Sequence, residues 1–162
     1  MSKDPPRVVA TDNFSWAIAN RSKVEKLSYQ QAVEKYCRGD SSKHVIVICS
    51  WMPMGEDWSK VFRQNMVDEY ILIGECDDGQ CGDNWATWGN VHMLSADVSE
   101  EIQHNMEKRS EPFQPPQETA PYKLDGYTRK NLDTLRPYQL SRYDNALSKL
   151  GRTVSFRRGG KD

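Results

Sequence analysis

The segment from His44 to Glu75 constrains the fold more than any other part of this 162-residue chain. It begins with a short run rich in β-branched residues, His44 to Cys49, which is typical of a strand buried on both faces. A second apolar run, Tyr70 to Ile73, ends at a glycine. The residues between the two runs predict a crossover helix of about three turns. Its apolar positions recur at helical spacing and are Trp58, Val61, Phe62 and Met66. The segment therefore predicts a βαβ unit.

Polar and aromatic residues follow each predicted strand of this unit. Ser50 to Pro53 follow the first strand, and Glu75 to Asp78 follow the second. Open α/β sheets bind ligands at the carboxyl ends of their strands, so both groups are expected at a ligand-binding edge. The loop that comes next carries Trp85 and Trp88, three residues apart. These indoles either form a pocket wall or pack the loop onto the domain, since each offers a large apolar face and one donor.

The N-terminal part of the chain predicts two short strands and a helix. Val8 to Asp12 is an apolar run that ends in an acid and predicts the first strand. Val24 to Tyr29 predicts a weak edge strand. Ser28 and Gln31 form a capping-box pattern, in which each side chain satisfies a backbone N–H at the start of a helix. The helix is expected to continue to Tyr36.

The region after the tryptophan loop combines predicted elements with a segment rich in proline. Val98 to Met106 predicts a short helix, and residues 107–121 predict an extended loop or lid. Tyr122 to Tyr127 has the character of a strand.

The end of the chain predicts helix and then strand. Residues 131–150 predict a partly helical segment that is interrupted at Pro137. Arg152 to Arg158 alternates apolar and polar residues, which predicts a half-exposed final strand. Residues 159–162 are expected to form a flexible tail.

Composition narrows the class of protein. The length predicts a single α/β domain over residues 1–162. A formal net charge of −1 gives no bulk attraction to nucleic acid or to anionic membrane. No apolar run approaches the roughly 20 residues of a membrane span, and the N-terminus lacks the apolar segment of a signal peptide. We therefore expect a cytoplasmic protein, with a nuclear location also compatible, and no membrane partner.

Two other kinds of site receive less support from the sequence. Cys76 and Cys81 are spaced more widely than the usual zinc-binding pair, and no second pair follows, so no metal is expected. Four irregularly spaced cysteines also do not predict a disulfide framework. The C-terminus is basic, but acidic residues offset it along the chain, so nucleic acid is not expected as a partner.

Three segments of the chain together resemble the second half of a class I S-adenosylmethionine-dependent methyltransferase-like domain. They are SWMPMGEDWSKVFR, EYILIGE and CGDNWATWG. The resemblance implies a three-layer α/β sandwich with a mostly parallel, Rossmann-like sheet. Val8 to Asp12 would be its second strand and Val24 to Leu27 its third. An antiparallel edge pair would form around Leu124 and around Val154.

The resemblance also implies a cofactor, S-adenosylmethionine, and roles for individual residues. Asp12 would bind the ribose, and Ser28 would lie near the adenine. The remaining cofactor-binding residues would be Ser50, Trp51, Met52 and Pro53. A small-molecule acceptor would contact Trp58, Trp85 and Trp88. Glu75 would be the catalytic residue, accepting a proton from the acceptor or orienting it.

The glycine-rich first motif of this family has no counterpart in the sequence. It would precede Val8, and Gly79, Gly82 and Gly89 instead follow the second strand of the βαβ unit. We therefore expect a sheet that is incomplete at its N-terminal side, with the site completed by a protein partner or a further N-terminal segment. The alternative function is a non-catalytic interaction or structural subunit that keeps the fold without the cofactor loop.

Overall fold

A computed structural model describes residues 5–15, 23–37, 43–76, 81–90, 119–139 and 151–160. It has mixed α/β content, and the chain divides into two compact units, Met1–Lys43 and His44–Asp162. We call these the N-terminal and the C-terminal unit and describe each by itself. The helix predicted at Val98 to Met106 lies outside the described residues, as do most of the proline-rich segment and the last two residues of the predicted tail.

The N-terminal unit contains a two-stranded parallel sheet and one helix. Strand β1 (Thr11–Asp12) pairs with β2 (Glu25–Lys26), and helix α1 (Tyr29–Tyr36) follows. Both strands are shorter than predicted, and Val8 is 87% exposed rather than part of a strand. The apolar run at Val8 buries nothing among the described residues, and a strand without a buried face gains little from pairing.

The predicted capping box at the start of α1 is confirmed. The Ser28 Oγ accepts a hydrogen bond from the Gln31 backbone N–H at 3.2 Å, and the Gln31 Oε1 accepts from the Ser28 N–H at 2.9 Å. The far end of α1 is held to β2, because Lys35 and the Tyr36 hydroxyl both donate to the Glu25 carboxylate. The hydrogen bond from Lys35 is the main reason that the pKa of Glu25 lies below its ordinary value.

The C-terminal unit is organised around a four-stranded sheet, and it confirms the predicted βαβ unit. Strands β3 (Ile46–Ser50) and β4 (Glu69–Glu75) pair in parallel and are joined through helix α2 (Ser59–Gln64). Strands β5 (Tyr127–Asn131) and β6 (Gly151–Arg158) complete the sheet in the order β3-β4-β6-β5. Strand β6 runs antiparallel to both of its neighbours, so β3, β4 and β5 share one direction.

The core of this unit lies on one face of the sheet. Tyr70 on β4 stacks on Phe156 of β6, with ring centroids 4.7 Å apart and planes inclined by 8°. Phe62 from α2 and Tyr127 from β5 pack against the same Tyr70 ring at 5.9 and 5.3 Å. Trp88 packs on Phe156 from the loop after β4. The aromatic side chains bind the loop, the helix and three strands into one apolar cluster.

Strand β3 contradicts the prediction of a strand buried on both faces. Ile46 is 49% exposed and Ile48 is 67% exposed, while the residues between and after them turn towards the core face. Ile46 and Ile48 are exposed because β3 forms the edge of the described sheet and no described element covers its second face.

Helix α2 is shorter than the predicted three turns. It covers six residues, and Phe62 is its buried apolar residue. The prediction that Met66 belongs to the apolar stripe was wrong, because Met66 adopts a left-handed φ of +54° beyond the end of the helix and is 65% exposed. The next residue, Val67, is buried in its place.

The strand predicted at Tyr122 begins only at Tyr127. Residues Pro121–Leu124 form a short helix, α3, with proline at its start, where the missing N–H costs nothing. Gly126 then turns the chain with a φ of +81° and delivers it to β5.

The final predicted strand is present, but it is not half-exposed. Strand β6 lies between β4 and β5 and is buried along most of its length. Two of its polar residues contact the start of β4 and the residue before it: the Ser155 Oγ donates to Glu69 Oε1 at 2.5 Å, and the Arg158 Nη2 donates to Asp68 Oδ1 at 3.5 Å. A 3₁₀ helix at Asp133–Tyr138 contains Pro137, and residues 140–150 of the predicted helix lie outside the described residues.

Within the described parts of the chain, no helix is both long and apolar enough to cross a membrane.

Candidate functional site

The segments after β3 and β4 meet at the carboxyl ends of these strands and are joined by backbone hydrogen bonds. The Gly82 N–H donates to the carbonyl oxygens of Met52 and Pro53 at 3.3 and 3.2 Å, and the Gly55 N–H donates back to Gly82 at 3.0 Å. The Cys81 N–H donates to the Glu75 carbonyl at 3.1 Å. The segment after β3 and the chain at Cys81 and Gly82 therefore form one continuous surface, while Asp77 and Asp78 lie outside the described residues.

Trp51 is the most unusual residue on this surface. It adopts a left-handed φ of +57°, which costs a non-glycine residue about 1 kcal/mol, and its side chain remains 39% exposed. Its N–H donates to the Ile73 carbonyl at 2.8 Å, so the strained residue is fixed to β4. Ser50 and Pro53 on either side of it are exposed as well. Strained exposed aromatic residues at strand ends are candidates for ligand contact.

Gly74 makes the close approach of the two segments possible. A Cβ atom at this position would lie 2.7 Å from the Cys81 Sγ, which real contacts do not tolerate. Burial, together with the nearby Cys81, raises the pKa of the Cys49 thiol to about 12. Cys49 therefore stays protonated at neutral pH and does not act as a thiolate nucleophile at this edge.

Met52 and Trp58 are brought together, but Met52 is a packing residue. Its side chain is 3% exposed, and its Sδ accepts a hydrogen bond from the Trp58 N–H at 3.4 Å. The Thr87 Oγ1 lies 4.0 Å from the same sulfur. Met52 therefore anchors the segment after β3 onto the loop that carries Thr87.

The tryptophan loop separates its two indoles. Asp83 accepts hydrogen bonds at one carboxylate oxygen from the backbone N–H groups of Trp85 and Ala86, at 2.9 and 2.6 Å. The resulting turn leaves Trp85 half-buried and places Trp88 in the core, 1% exposed. The Trp88 Nε1 donates to the Cys81 carbonyl at 2.6 Å. Of the two interpretations of this pair, packing of the loop describes Trp88, and Trp85 remains half-buried in the turn.

A buried polar network below this surface was not predicted. The Arg63 side chain is 3% exposed, and its Nε donates to the Asp125 carboxylate at 2.7 Å. Its two terminal nitrogens bind Ser59 at 2.5 Å and Asp57 at 3.3 Å. Asp57 also lies 3.2 Å from the Thr87 Oγ1. The network thus connects α2 to the segment after β3, to the tryptophan loop and to the corner before β5.

Sequence reasoning missed this network because two of its members, Thr87 and Asp125, are far from Arg63 in the chain. Arg63 follows Phe62 in the amphipathic helix, where a charged residue normally indicates a solvent-facing position. No spacing rule joins it to Asp125. The only local signal is the closeness of Asp57 and Ser59 to the predicted helix start, where such residues commonly cap.

Glu75 ends β4 and is 3% exposed, so its carboxylate lies below the surface rather than on it.

The two predicted cofactor-binding residues of the N-terminal unit have clear structural contacts. The Asp12 Oδ1 accepts from the Phe14 N–H at 2.5 Å, which forms an Asx turn after β1. Ser28 caps α1, as described above. Both positions are exposed or half-buried, and the structure gives each a local role in the backbone of this unit.

A shallow open depression of about 700 Å³ lies elsewhere in the C-terminal unit, beside β5. Its lining is largely polar and consists of Tyr122, Lys123, Tyr127, Thr128, Arg129, Asn131 and Asp133. Arg129 is engaged there, since its Nη1 donates to the Trp88 carbonyl at 3.0 Å. In the described parts of the chain, no group of three or more His, Cys, Asp or Glu side chains is arranged to hold a metal ion.

Comparisons of the chain with family models, with curated proteins and with solved structures find no match. An assignment of function therefore depends on the residues themselves.

Proposed function

We propose that the chain is an S-adenosylmethionine-dependent methyltransferase-like domain that acts on a small-molecule acceptor. Its four-stranded sheet would belong to a mostly parallel, Rossmann-like sheet in a three-layer sandwich. We expect it to work in the cytoplasm, where its four cysteines, none of which forms a disulfide, would stay reduced.

The observation that carries the proposal is the arrangement of strands in the C-terminal unit. The resemblance implies parallel strands followed by an antiparallel pair at the edge. Strands β3, β4 and β5 share a direction, and the last strand of the chain, β6, runs against them. A parallel pair also occurs in the N-terminal unit, between the two segments that the resemblance makes consecutive strands. These features support the class without identifying the acceptor.

The exposed residues at the ends of β3 and β4 fit part of this cofactor. S-adenosylmethionine supplies an electrophilic methyl group on a sulfonium. The half-exposed indole of Trp51 offers an aromatic face, to which a cation is attracted by about 0.5–2 kcal/mol. Ser50 and Pro53 would border that face. Methyl transfer needs an in-line approach more than a strong base, so a wall that orients the acceptor is the main requirement.

The second candidate function is a non-catalytic interaction or structural subunit. A specific observation favours it, because Met52, Glu75 and Trp88 are all at most 3% exposed. As catalytic residue, Glu75 would need a movement of the overlying segments to reach an acceptor. The described residues also contain no glycine-rich turn after a first strand.

Isothermal titration with S-adenosylmethionine tests the proposal. We expect saturable binding to this chain or to a longer form of the protein that contains it. Trp51→Ala should weaken that binding about tenfold, which corresponds to about 1.4 kcal/mol. Tyr138→Ala is the matched control, because Tyr138 is 83% exposed and lies on the 3₁₀ helix.

The ribose contact has its own variant in the same titration. Asp12→Asn should weaken binding, and Asp133→Asn, at an exposed acid on the 3₁₀ helix, should not. Absence of binding to every form would favour the non-catalytic subunit. Equal binding by the wild type and Trp51→Ala would place the cofactor away from β3.

A further inference from the structure

The two edges of the four-stranded sheet differ in a way that bears on assembly. At one edge, β5 has the sequence YTRKN, with Thr128, Lys130 and Asn131 exposed. Charged side chains on an edge strand oppose pairing with another chain. At the other edge, β3 has the sequence IVICS, which contains no charge, proline or glycine. Within the described residues, the edge formed by β3 therefore carries none of the side chains that protect an edge strand against pairing.

The outer side of β3 presents a row of backbone N–H and C=O groups that pair with no described strand. The Trp51 N–H donates to Ile73, and the Val45 carbonyl accepts from Glu69, so the odd-numbered residues bond to β4. The backbone groups of Ile46, Ile48 and Ser50 point the other way. No strand in the described part of the chain pairs with them.

The side chains of the same strand form an exposed apolar stripe. Ile46 and Ile48 are 49% and 67% exposed, and Ile71 and Ile73 of β4 continue the stripe half-buried beside them. An uncharged ladder next to exposed isoleucines is an association surface rather than a solvent-facing edge.

We propose that β3 pairs with β3 of a second copy of this chain, in antiparallel register, to form a two-fold symmetric dimer. A two-fold axis at Ile48 places Ile48 opposite its counterpart and Ile46 opposite Ser50. Every outward-pointing backbone group of the strand then finds a partner, because opposed residues exchange both hydrogen bonds. This inference does not rest on the proposed function, and it excludes a further strand at the β3 edge, where another segment would otherwise extend the sheet.

Charge and symmetry favour a second copy over other arrangements. Self-pairing opposes no like charges along β3. Pairing of β3 with β5 of a neighbour would be a head-to-tail contact that generates a ring or an open filament, and the charged residues of β5 oppose it. The assembly therefore closes at two copies. A five-residue ladder is small compared with a stable interface, so we expect a reversible dimer with micromolar or weaker affinity.

Analytical ultracentrifugation of the full chain over a wide concentration range tests the dimer. The wild type should show a reversible monomer–dimer equilibrium. Ile48→Lys should abolish the dimer, because the two-fold axis sets the introduced charges opposite each other. Leu124→Lys should leave it intact, since Leu124 is similarly exposed at 72% but lies on α3.

A mixing experiment makes the register itself testable and controls for folding. Ile48→Lys and Ile48→Glu should each be monomeric, and an equimolar mixture should form a heterodimer through opposite charges at the axis. The proposal is overturned by a wild type that stays monomeric at every concentration, by a dimer that survives Ile48→Lys, or by a mixture that fails to restore dimers. A monomer with slowly exchanging amides at Ile46 and Ile48 would show that another segment covers the edge, and this also overturns it.

Discussion

Tyr70 and Tyr127 place two phenol hydroxyls side by side in the core of the C-terminal unit, in unequal environments. Their ring centroids are 5.3 Å apart, and the side chains are 0% and 3% exposed. The Tyr127 hydroxyl donates to the Val67 carbonyl at 2.6 Å. The Tyr70 hydroxyl has no hydrogen-bond partner of ordinary geometry among the described residues, although the guanidinium of Arg63 interacts with it electrostatically. A buried hydroxyl without a well-formed hydrogen bond loses its hydration and recovers only part of that free energy.

The difference between these tyrosines predicts opposite responses to removal of the hydroxyl. Tyr70→Phe should leave the free energy of unfolding unchanged or raise it by up to about 1 kcal/mol, because an unsatisfied group disappears. Tyr127→Phe should lower it by about 1–3 kcal/mol, because the Val67 carbonyl loses its donor. Urea unfolding of the two variants measures both values. A larger loss for Tyr70→Phe than for Tyr127→Phe would show that the Tyr70 hydroxyl has a partner in solution.

At the scale of secondary-structure elements, the sequence predicts best where a segment contains its own packing partners. The βαβ unit is of this kind, because two short apolar runs and the helix between them lie close together in the chain. The exposure of β3 could not be predicted, since burial of a strand depends on neighbours that its own composition does not specify. The same reason explains β6, whose alternating pattern suggests a half-exposed strand but whose position is central.

The candidate site also has features that local sequence predicts and features that depend on residues distant in the chain. Its place at the ends of β3 and β4 could be predicted, because strand ends follow directly from strand assignments. Its interior could not, since Arg63 joins residues from positions 57 to 125. The burial of Trp88 and the exposure of Trp85 depend on the Asp83 turn, and no periodic pattern indicates that turn.

Gly89 ends the tryptophan loop and gives an element-scale prediction. Its φ is +67°, and an added Cβ would lie 2.5 Å from a ring carbon of Tyr122 and 2.8 Å from the Cβ of Ala120. Gly89→Ala should therefore combine backbone strain of about 1–2 kcal/mol with overpacking of about 1–3 kcal/mol. Gly55→Ala is the matched control, because Gly55 has a φ of +79° and open space around it.

Thermal unfolding of the two glycine variants separates the cost of backbone strain from the cost of overpacking. Gly55→Ala reports the cost of the left-handed backbone alone. Gly89→Ala should unfold at a clearly lower temperature than Gly55→Ala, because its added methyl group must also displace the side chain of Tyr122 on α3. Equal melting temperatures would mean that α3 moves away from the loop without loss of packing.

At the scale of the whole molecule, the C-terminal unit retains protons that the unfolded chain releases at alkaline pH. Burial raises the pKa of Tyr127 from about 10 to about 12. Burial also raises the pKa of Tyr70 well above its ordinary value, an effect that the nearby Arg63 opposes. A phenol with a raised pKa in the folded state stabilises that state fully below the unfolded pKa. The stabilisation is lost as the pH rises towards the folded pKa.

The free energy of unfolding should therefore fall steeply between about pH 10 and pH 12, by about 1.4 kcal/mol per pH unit for each buried tyrosine. Tyr127→Phe should reduce that slope by the share of one tyrosine. Tyr138→Phe should not change it, because Tyr138 is 83% exposed and lies outside the buried aromatic cluster. Urea midpoints measured at closely spaced pH values give the slopes directly. A slope that is the same in Tyr127→Phe and in the wild type would show that this hydroxyl reaches solvent before the sheet unfolds.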